Sequence, residues 1–227
     1  MTLGDGAAGA SGSAGTDWSA WHDDYADAGS QLSGRLAVVQ SAIRGVLAEQ
    51  AARAGPLTVL SVCAGDGRDI LGVLAEQEPR LARRVDVTLL ETDPRNRERA
   101  EGFCRDTGLS RVRLRDSDAG LSSSYVDAAP AELVLICGMF GNLTDAGVCR
   151  LIQFLPALCR SGATLIWTRS RRAPDLTPSI RDWLAAARFT ELSFTAPPDV
   201  LFSVGVHRFD GEPPPLASGQ RLFTFVR

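Results

Sequence analysis

The run VLSVCAGDGRD at residues 59–69 places two glycines between an apolar run and a helix-like segment. Gly65 and Gly67 permit a tight turn and let a ligand approach the backbone closely. Such a turn presents the ligand to a helix N-terminus at the carboxyl edge of a sheet. Many turns contain Gly-x-Gly, so it is the position of this one in the first strand–helix unit that favours a ligand site.

A carboxylate follows the second apolar run of the chain. Glu91 stands in LLETDP at residues 89–94, where the two leucines indicate a buried strand that delivers it to the sheet edge. An acid about 20 residues beyond such a glycine turn can accept hydrogen bonds from both hydroxyls of a ribose. The interval from Gly67 to Glu91 fits that spacing, and a solvated loop carboxylate is the alternative interpretation.

The third and fourth apolar runs also end in residues suited to a nucleotide. Asp118, followed by Ala119, stands at the exit of the third run, where it can accept a hydrogen bond from an adenine amino group. Asp116 is a rival for this role, and an ordinary turn acid is the alternative. The fourth run ends in ICGMFGN, where the small residues Cys137 and Gly138 leave room for a cofactor.

Together these four elements resemble the class I S-adenosylmethionine-dependent methyltransferases over about residues 57–170. The resemblance implies S-adenosylmethionine as the cofactor, with its methionine part at the glycine turn and its ribose at Glu91. It places the adenine at Asp118 and Ala119. The predicted cofactor-binding residues are Ala64, Gly65, Asp66, Gly67, Glu91, Thr92, Asp118, Ala119 and Cys137.

The sequence departs from this family in the first strand. Ser61 stands where the family usually carries an acid, and Cys63 stands where it usually carries a glycine. Asp66 is a candidate for supplying the missing carboxylate. The Asn-Pro-Pro-Tyr motif of many nucleic-acid amino-methyltransferases is also absent, and GMFGN in its place favours a small-molecule acceptor.

A dinucleotide-dependent oxidoreductase is the competing enzyme class. Its fingerprint needs a third Gly or Ala where this chain has Ile70, and no second domain is available to hold a substrate. We therefore favour methyl transfer over hydride transfer.

Only two histidines are available as general bases for the acceptor, His22 and His207. We expect both to border the carboxyl edge of the sheet, and Tyr25 is a third candidate for a catalytic role. Trp18, Trp21, His22 and Tyr25 form an aromatic cluster that could cap the cofactor or serve packing alone. No metal is expected, because methyl transfer requires mainly alignment and exclusion of water.

The elements that position these residues follow an α/β pattern. Strand-like apolar runs occur at 58–63, 86–91, 111–115, 132–137 and 163–168. Helix-like segments at 68–77, 94–107, 144–159 and 177–187 separate or follow them. This alternation predicts a Rossmann-like, mostly parallel sheet with helices on both faces.

The two ends of the chain depart from that pattern. Runs at 190–195 and 221–226 have no helix between them and predict an antiparallel C-terminal edge, with an insertion at about 197–220. Residues 1–15 predict a flexible tail and residues 16–55 a helical cap, which precede a methyltransferase domain at 56–227. We expect residues 16–30 to close over bound cofactor.

Composition limits the partners. The formal net charge is −3 and the pI is near 5.5, so the chain gains no long-range attraction to nucleic acid. Five cysteines without a CxxC pair favour reduced thiols, and neither a secretory leader nor a membrane span is predicted. We expect a cytoplasmic enzyme with a small-molecule acceptor. An RNA-modifying methyltransferase and a non-catalytic S-adenosylmethionine-binding protein remain the alternatives, and the oligomeric state is open.

Overall fold

The computed structural model describes residues 30–52 and 55–226. The aromatic cluster with His22 and Tyr25, the predicted tail at 1–15 and nearly all of the predicted closing segment lie outside these ranges. None of the helices in the described ranges is long and apolar enough to cross a membrane.

Seven strands form one sheet in the order β3-β2-β1-β4-β5-β7-β6. The strands are β1 (Leu57–Val62), β2 (Val85–Leu90), β3 (Val112–Arg115), β4 (Ala131–Ile136), β5 (Cys159–Ser170), β6 (Phe189–Thr195) and β7 (Phe202–Phe209). The first five are parallel, whereas β7 runs antiparallel between β5 and β6. The predicted Rossmann-like sheet with an antiparallel C-terminal edge is confirmed.

Helices cover both faces of this sheet. They are α1 (Gln31–Ala51), α2 (Arg68–Ala75), α3 (Pro79–Ala82), α4 (Pro94–Thr107), α5 (Asp145–Leu158) and α6 (Thr177–Ala186). The buried side chains of α1, α2 and α4 belong to one hydrophobic cluster, and those of α5 and α6 to the other. Strands β1, β2 and β4 are therefore apolar on both faces, as expected of a covered parallel sheet.

Helix α1 is a layer of the core. Ser30 caps it by accepting a hydrogen bond from the backbone N–H of Ser33. Its apolar stripe, with Val39, Ile43 and Leu47 fully buried, packs beside α2 and against the sheet. The described part of the predicted cap thus covers a face of the sheet and not its edge, because a helix with this stripe is stabilised by burying it.

The prediction of an insertion at 197–220 is wrong. Residues 202–209 form β7, which pairs with both β5 and β6, so this run belongs to the middle of the sheet. Residues 221–226 do not form a sheet strand, and Arg221 makes only an isolated bridge to Leu121. Residues 220–226, here called the C-terminal segment, instead cross the loops that follow β3 and β4.

A close contact between β5 and β7 provides a test of this arrangement. A Cβ atom at Gly205 would overlap the indole of Trp167, which is fully buried in the core. We expect Gly205→Ala to lower the free energy of unfolding by about 1–3 kcal/mol, because the core must shift to admit the methyl group. Urea denaturation followed by circular dichroism measures this change.

Gly45→Ala is the matched control. Gly45 lies exposed inside α1, and a Cβ atom there meets nothing within 4 Å. This change should raise stability by up to about 1 kcal/mol, since alanine favours a helix over glycine. Equal effects of the two substitutions would contradict the placement of β7 beside β5.

Candidate functional site

A cleft of about 660 Å³ lies at the carboxyl edge of the sheet. Its volume is typical of sites for small molecules and cofactors. The lining consists of Cys63 and Gly65 after β1, residues 91–96 after β2, residues 137–139 and Asn142 after β4, and Phe225 of the C-terminal segment. Of the predicted cofactor-binding residues, Gly65, Glu91, Thr92 and Cys137 line this cleft.

The turn after β1 depends on left-handed backbone conformations. Cys63, Gly65 and Gly67 have φ angles of 53°, 58° and 73°. The backbone N–H of Gly67 donates to the carbonyl of Ala64 at 3.0 Å, which closes the turn at the start of α2. Glycine adopts this conformation at little cost, whereas Cys63 adopts it against its steric preference.

The two glycines have different roles. A Cβ atom at Gly65 would meet nothing within 4 Å, so this position faces open space beside the cleft. A Cβ atom at Gly67 would lie 2.8 Å from Leu89 and 2.9 Å from Leu71. Gly65 therefore leaves space for a ligand, and Gly67 lets α2 pack closely against β2.

Glu91 connects two of the loops that form the cleft. Its Oε2 accepts a hydrogen bond from the backbone N–H of Gly65 at 2.7 Å, and its Oε1 accepts one from Asp93 at 2.8 Å. Burial raises the pKa of Glu91, and these backbone hydrogen bonds oppose that rise. Each carboxylate oxygen can accept a further bond, so Glu91 can fix the turn and still bind hydroxyl groups.

The N-terminus of α4 forms the adjacent wall. Asp93 caps this helix by accepting from the backbone N–H of Arg95 at 2.9 Å. The Arg95 side chain also contacts the carboxylate and holds the pKa of Asp93 at about 2. A charged carboxylate thus lies beside Glu91 at the β2 end of the cleft.

Asp118 and Ala119 do not line the cleft. The Asp118 carboxylate accepts from Arg221 at 2.6 Å and from the backbone N–H of Gly120 at 2.8 Å. Ala119 is buried, and its carbonyl accepts from the hydroxyl of Tyr125 at 2.7 Å. In this structure Asp118 therefore anchors the C-terminal segment, and its contact with an adenine stays a prediction.

Two aspartates near the glycine turn have different surroundings. Asp66, the predicted substitute for the missing acid, pairs with Arg68 and does not line the cleft. Asp69, in the first turn of α2, has the thiol of Cys137 and the guanidinium of Arg35 near its carboxylate. Burial raises the pKa of Asp69.

The expected placement of His207 at the sheet edge is wrong. His207 lies within β7 opposite Leu165, is only 1% exposed, and does not line the cleft. Its Nδ1 accepts from the indole N–H of Trp167 at 3.3 Å, and its Nε2 lies 3.6 Å from Glu191. Burial lowers its pKa to about 4, so this histidine is neutral and packs within the core. The other catalytic candidates, His22 and Tyr25, lie outside the described residues.

Most residues of the cleft were not predicted as site residues, and Met139, Asn142 and Phe225 are three of them. Met139 and Asn142 belong to the loop after β4, and Phe225 belongs to the C-terminal segment. The motif GMFGN at the exit of β4 points to the first two. No local pattern points to Phe225, since its position depends on how the end of the chain crosses distant loops.

A cleft at the carboxyl ends of parallel strands, with a glycine turn on one side and an acid on the next strand, defines a Rossmann-like nucleotide-cofactor site. The family described as "Putative methyltransferase" matches residues 31–186. The chain belongs to this family. No curated protein sequence matches the chain.

Solved structures share the fold at low sequence identity. Magnesium protoporphyrin IX methyltransferase from Synechocystis, with bound S-adenosylmethionine, has a TM-score of 0.64 and 14% identity over 85% of this chain and 91% of its own. An O-methyltransferase family protein from Burkholderia thailandensis has a TM-score of 0.62 and 16% identity over 90% of this chain and 62% of its own. A TehB-like methyltransferase from Corynebacterium glutamicum has a TM-score of 0.56 and 14% identity over 84% of this chain and 95% of its own. The predicted methyltransferase class is confirmed, and the cofactor prediction agrees with it.

The contrast between the glycines gives a second prediction. We expect Gly67→Ala to destabilise the protein by more than Gly65→Ala, because its methyl group would meet Leu71 and Leu89. Gly65→Ala should cost about 1–2 kcal/mol of stability through its positive φ, and should weaken cofactor binding as well. Chemical denaturation and calorimetric titration with S-adenosylmethionine measure these two effects.

Gly108→Ala separates backbone strain from ligand contact. Gly108 has φ of 72° at the end of α4, and a Cβ atom there meets nothing within 4 Å. The Gly108→Ala variant should lose about as much stability as Gly65→Ala and keep its affinity for the cofactor. If Gly65→Ala also keeps full affinity, the turn is not part of the cofactor site.

Proposed function

We propose that this protein transfers a methyl group from S-adenosylmethionine to a small-molecule acceptor in the cleft at the ends of β1, β2 and β4. The observation that carries the proposal is the carboxylate of Glu91, which faces the cleft while bonded to the backbone of Gly65. This hydrogen bond places a carboxylate that can accept hydrogen bonds from ribose next to a turn with space for a ligand.

The residues present fit this cofactor. The open side of Gly65 offers space for the methionine part, and the unused acceptor positions of Glu91 suit the ribose hydroxyls. When bound, S-adenosylmethionine supplies a methyl group whose carbon–sulfur bond breaks toward sulfur as the acceptor's lone pair binds the carbon, while the acceptor's proton leaves to solvent. The protein's contribution is alignment and exclusion of water, which can supply much of the acceleration.

The surroundings of the arginines support a small-molecule acceptor over RNA. An RNA-modifying enzyme would need a basic stripe on its surface, and the arginines at 169–172 together with Arg181 are a weak candidate for one. Arg169 donates to the carbonyl of Phe140, Arg171 donates to that of Val200 at 2.6 Å, and Arg181 pairs with Glu191 at 2.6 Å. These guanidinium groups thus serve internal contacts, and phosphate binding would compete with them. The cytoplasmic location stays a prediction.

Glu91→Ala tests the cofactor site directly. We expect the dissociation constant of S-adenosylmethionine to rise by about 10- to 100-fold, because ribose loses a charged hydrogen-bond acceptor and the turn loses its support. Isothermal titration calorimetry measures the change. Glu76→Ala is the control, since Glu76 is an exposed carboxylate that pairs with Arg44 on the surface.

The outcomes separate the candidate functions. Unchanged affinity in a folded Glu91→Ala variant removes this residue from the site. Tight cofactor binding by the unmodified protein without release of S-adenosylhomocysteine for any acceptor favours the non-catalytic alternative. Transfer to RNA but to no small molecule favours the RNA-modifying alternative.

A further inference from the structure

The two ends of the cleft differ in charge. Glu91, Asp93 and Arg95 are all at the β2 end. The β4 end is formed by residues 137–139 together with Phe225 of the C-terminal segment, and none of these side chains carries a charge. The proposed cofactor site uses the exits of β1 and β2 and reaches Cys137, so the part of the β4 end beyond Cys137, with Met139, Asn142 and Phe225, is left for the acceptor.

Asn142 is the polar side chain at this neutral end. Its Nδ2 donates to the carbonyl of Gly138 at 3.3 Å, which orients the amide. Gly138 is itself held, since its N–H donates to Thr168 Oγ at 2.8 Å. Among residues 30–52 and 55–226, none donates to Oδ1 of Asn142, so this oxygen is available to accept a hydrogen bond from a ligand.

Phe225 forms the facing apolar surface. Its ring packs edge-on against Phe223, with the ring centroids 5.3 Å apart, and Phe223 is fully buried. The neighbouring N–H of Val226 donates to the carbonyl of Asn142 at 2.9 Å. These contacts hold the Phe225 ring near Asn142. Phe225 is 40% exposed and lines the cleft.

We propose, on the basis of the methyl transfer proposed above, that Asn142 and Phe225 form the acceptor subsite and that it takes a neutral aromatic molecule bearing a hydroxyl or amino group. The hydroxyl or amino N–H donates to Oδ1 of Asn142, which holds the nucleophilic atom at the β4 end. The aromatic ring packs against Phe225, as aromatic pairs favour offset or edge-on contact. Among residues 30–52 and 55–226, no charged side chain lines this end, so a charged acceptor loses hydration there without gaining a counterion from them.

The first experiment compares matched acceptors with the full-length protein. Release of S-adenosylhomocysteine is measured with catechol, hydroquinone and aniline, and with their carboxylated counterparts protocatechuate, gentisate and anthranilate. We expect kcat/KM to be about tenfold or more higher for the neutral member of a pair, because none of the described residues that line this end offers the carboxylate a charged partner. Equal or faster transfer to the carboxylated members overturns the proposal, as does no transfer to any neutral member when calorimetry shows cofactor binding.

The second experiment assigns the effect to the two residues. We expect Phe225→Ala to raise KM for the preferred acceptor by about tenfold and to leave kcat and the dissociation constant of S-adenosylmethionine within about twofold. Asn142→Ala should lower kcat/KM by a similar factor. Phe103→Ala is the matched control, because Phe103 lies on α4 with a comparable exposed fraction of 38% and does not line the cleft.

Thermal melting establishes that each variant is folded. Phe225→Leu keeps apolar bulk, so its KM for the acceptor should rise less than that of Phe225→Ala. An unchanged KM in Phe225→Ala, or an equal rise in Phe103→Ala, overturns the subsite. Loss of cofactor affinity in Phe225→Ala also overturns it, because Phe225 would then belong to the cofactor site. If the unmodified protein does not bind S-adenosylmethionine, it is the proposed function itself that fails.

Discussion

The site depends on one carboxylate that connects two loops. Parallel strands end at a common edge, where backbone N–H groups no longer have partners in the sheet and must find them elsewhere. Glu91 meets this need for Gly65 and Asp93 together, at 2.7 and 2.8 Å. Its hydrogen bonds fix the glycine turn relative to the start of α4, and the cleft lies between these two elements.

Glu91 also contributes to the difference in charge between the two ends of the cleft. Glu91 and the neighbouring Asp93 keep the β2 end acidic, whereas burial raises the pKa of the Cys137 thiol and keeps it protonated at the β4 end. One end therefore suits a polar nucleotide, and the other suits a neutral molecule.

Local patterns were sufficient to predict the parts of the site that come from single strand–helix units. The Gly65 turn and Glu91 each follow a short buried run, so their position at the sheet edge could be inferred without knowing the fold. His207 could not be placed in this way, because the pairing of β7 between β5 and β6 joins segments far apart in the sequence. Its neighbours make it a core residue, which its residue type alone did not indicate.

The position of the C-terminal segment also could not be predicted from local sequence patterns. The spacing of aromatic residues at 221–226 resembles that of a strand. The segment is instead held by a hydrogen bond from Arg221 to Asp118, two residues that are 103 positions apart in the sequence. That bond also occupies the carboxylate that was expected to bind adenine. Phe225 reaches the cleft only because of this path. Contacts of this kind depend on tertiary structure and leave no local sequence pattern.

The most direct test of the central claim is a crystal structure of the protein with S-adenosylhomocysteine. The account predicts the ligand in the cleft at the carboxyl edge, with its ribose hydroxyls within hydrogen-bond distance of Glu91 and the Gly65–Glu91 hydrogen bond retained. A ligand bound elsewhere would contradict it, for example in the smaller depression of about 250 Å³ between residues 74–85 and 107–112. So would a ribose with no contact to Glu91.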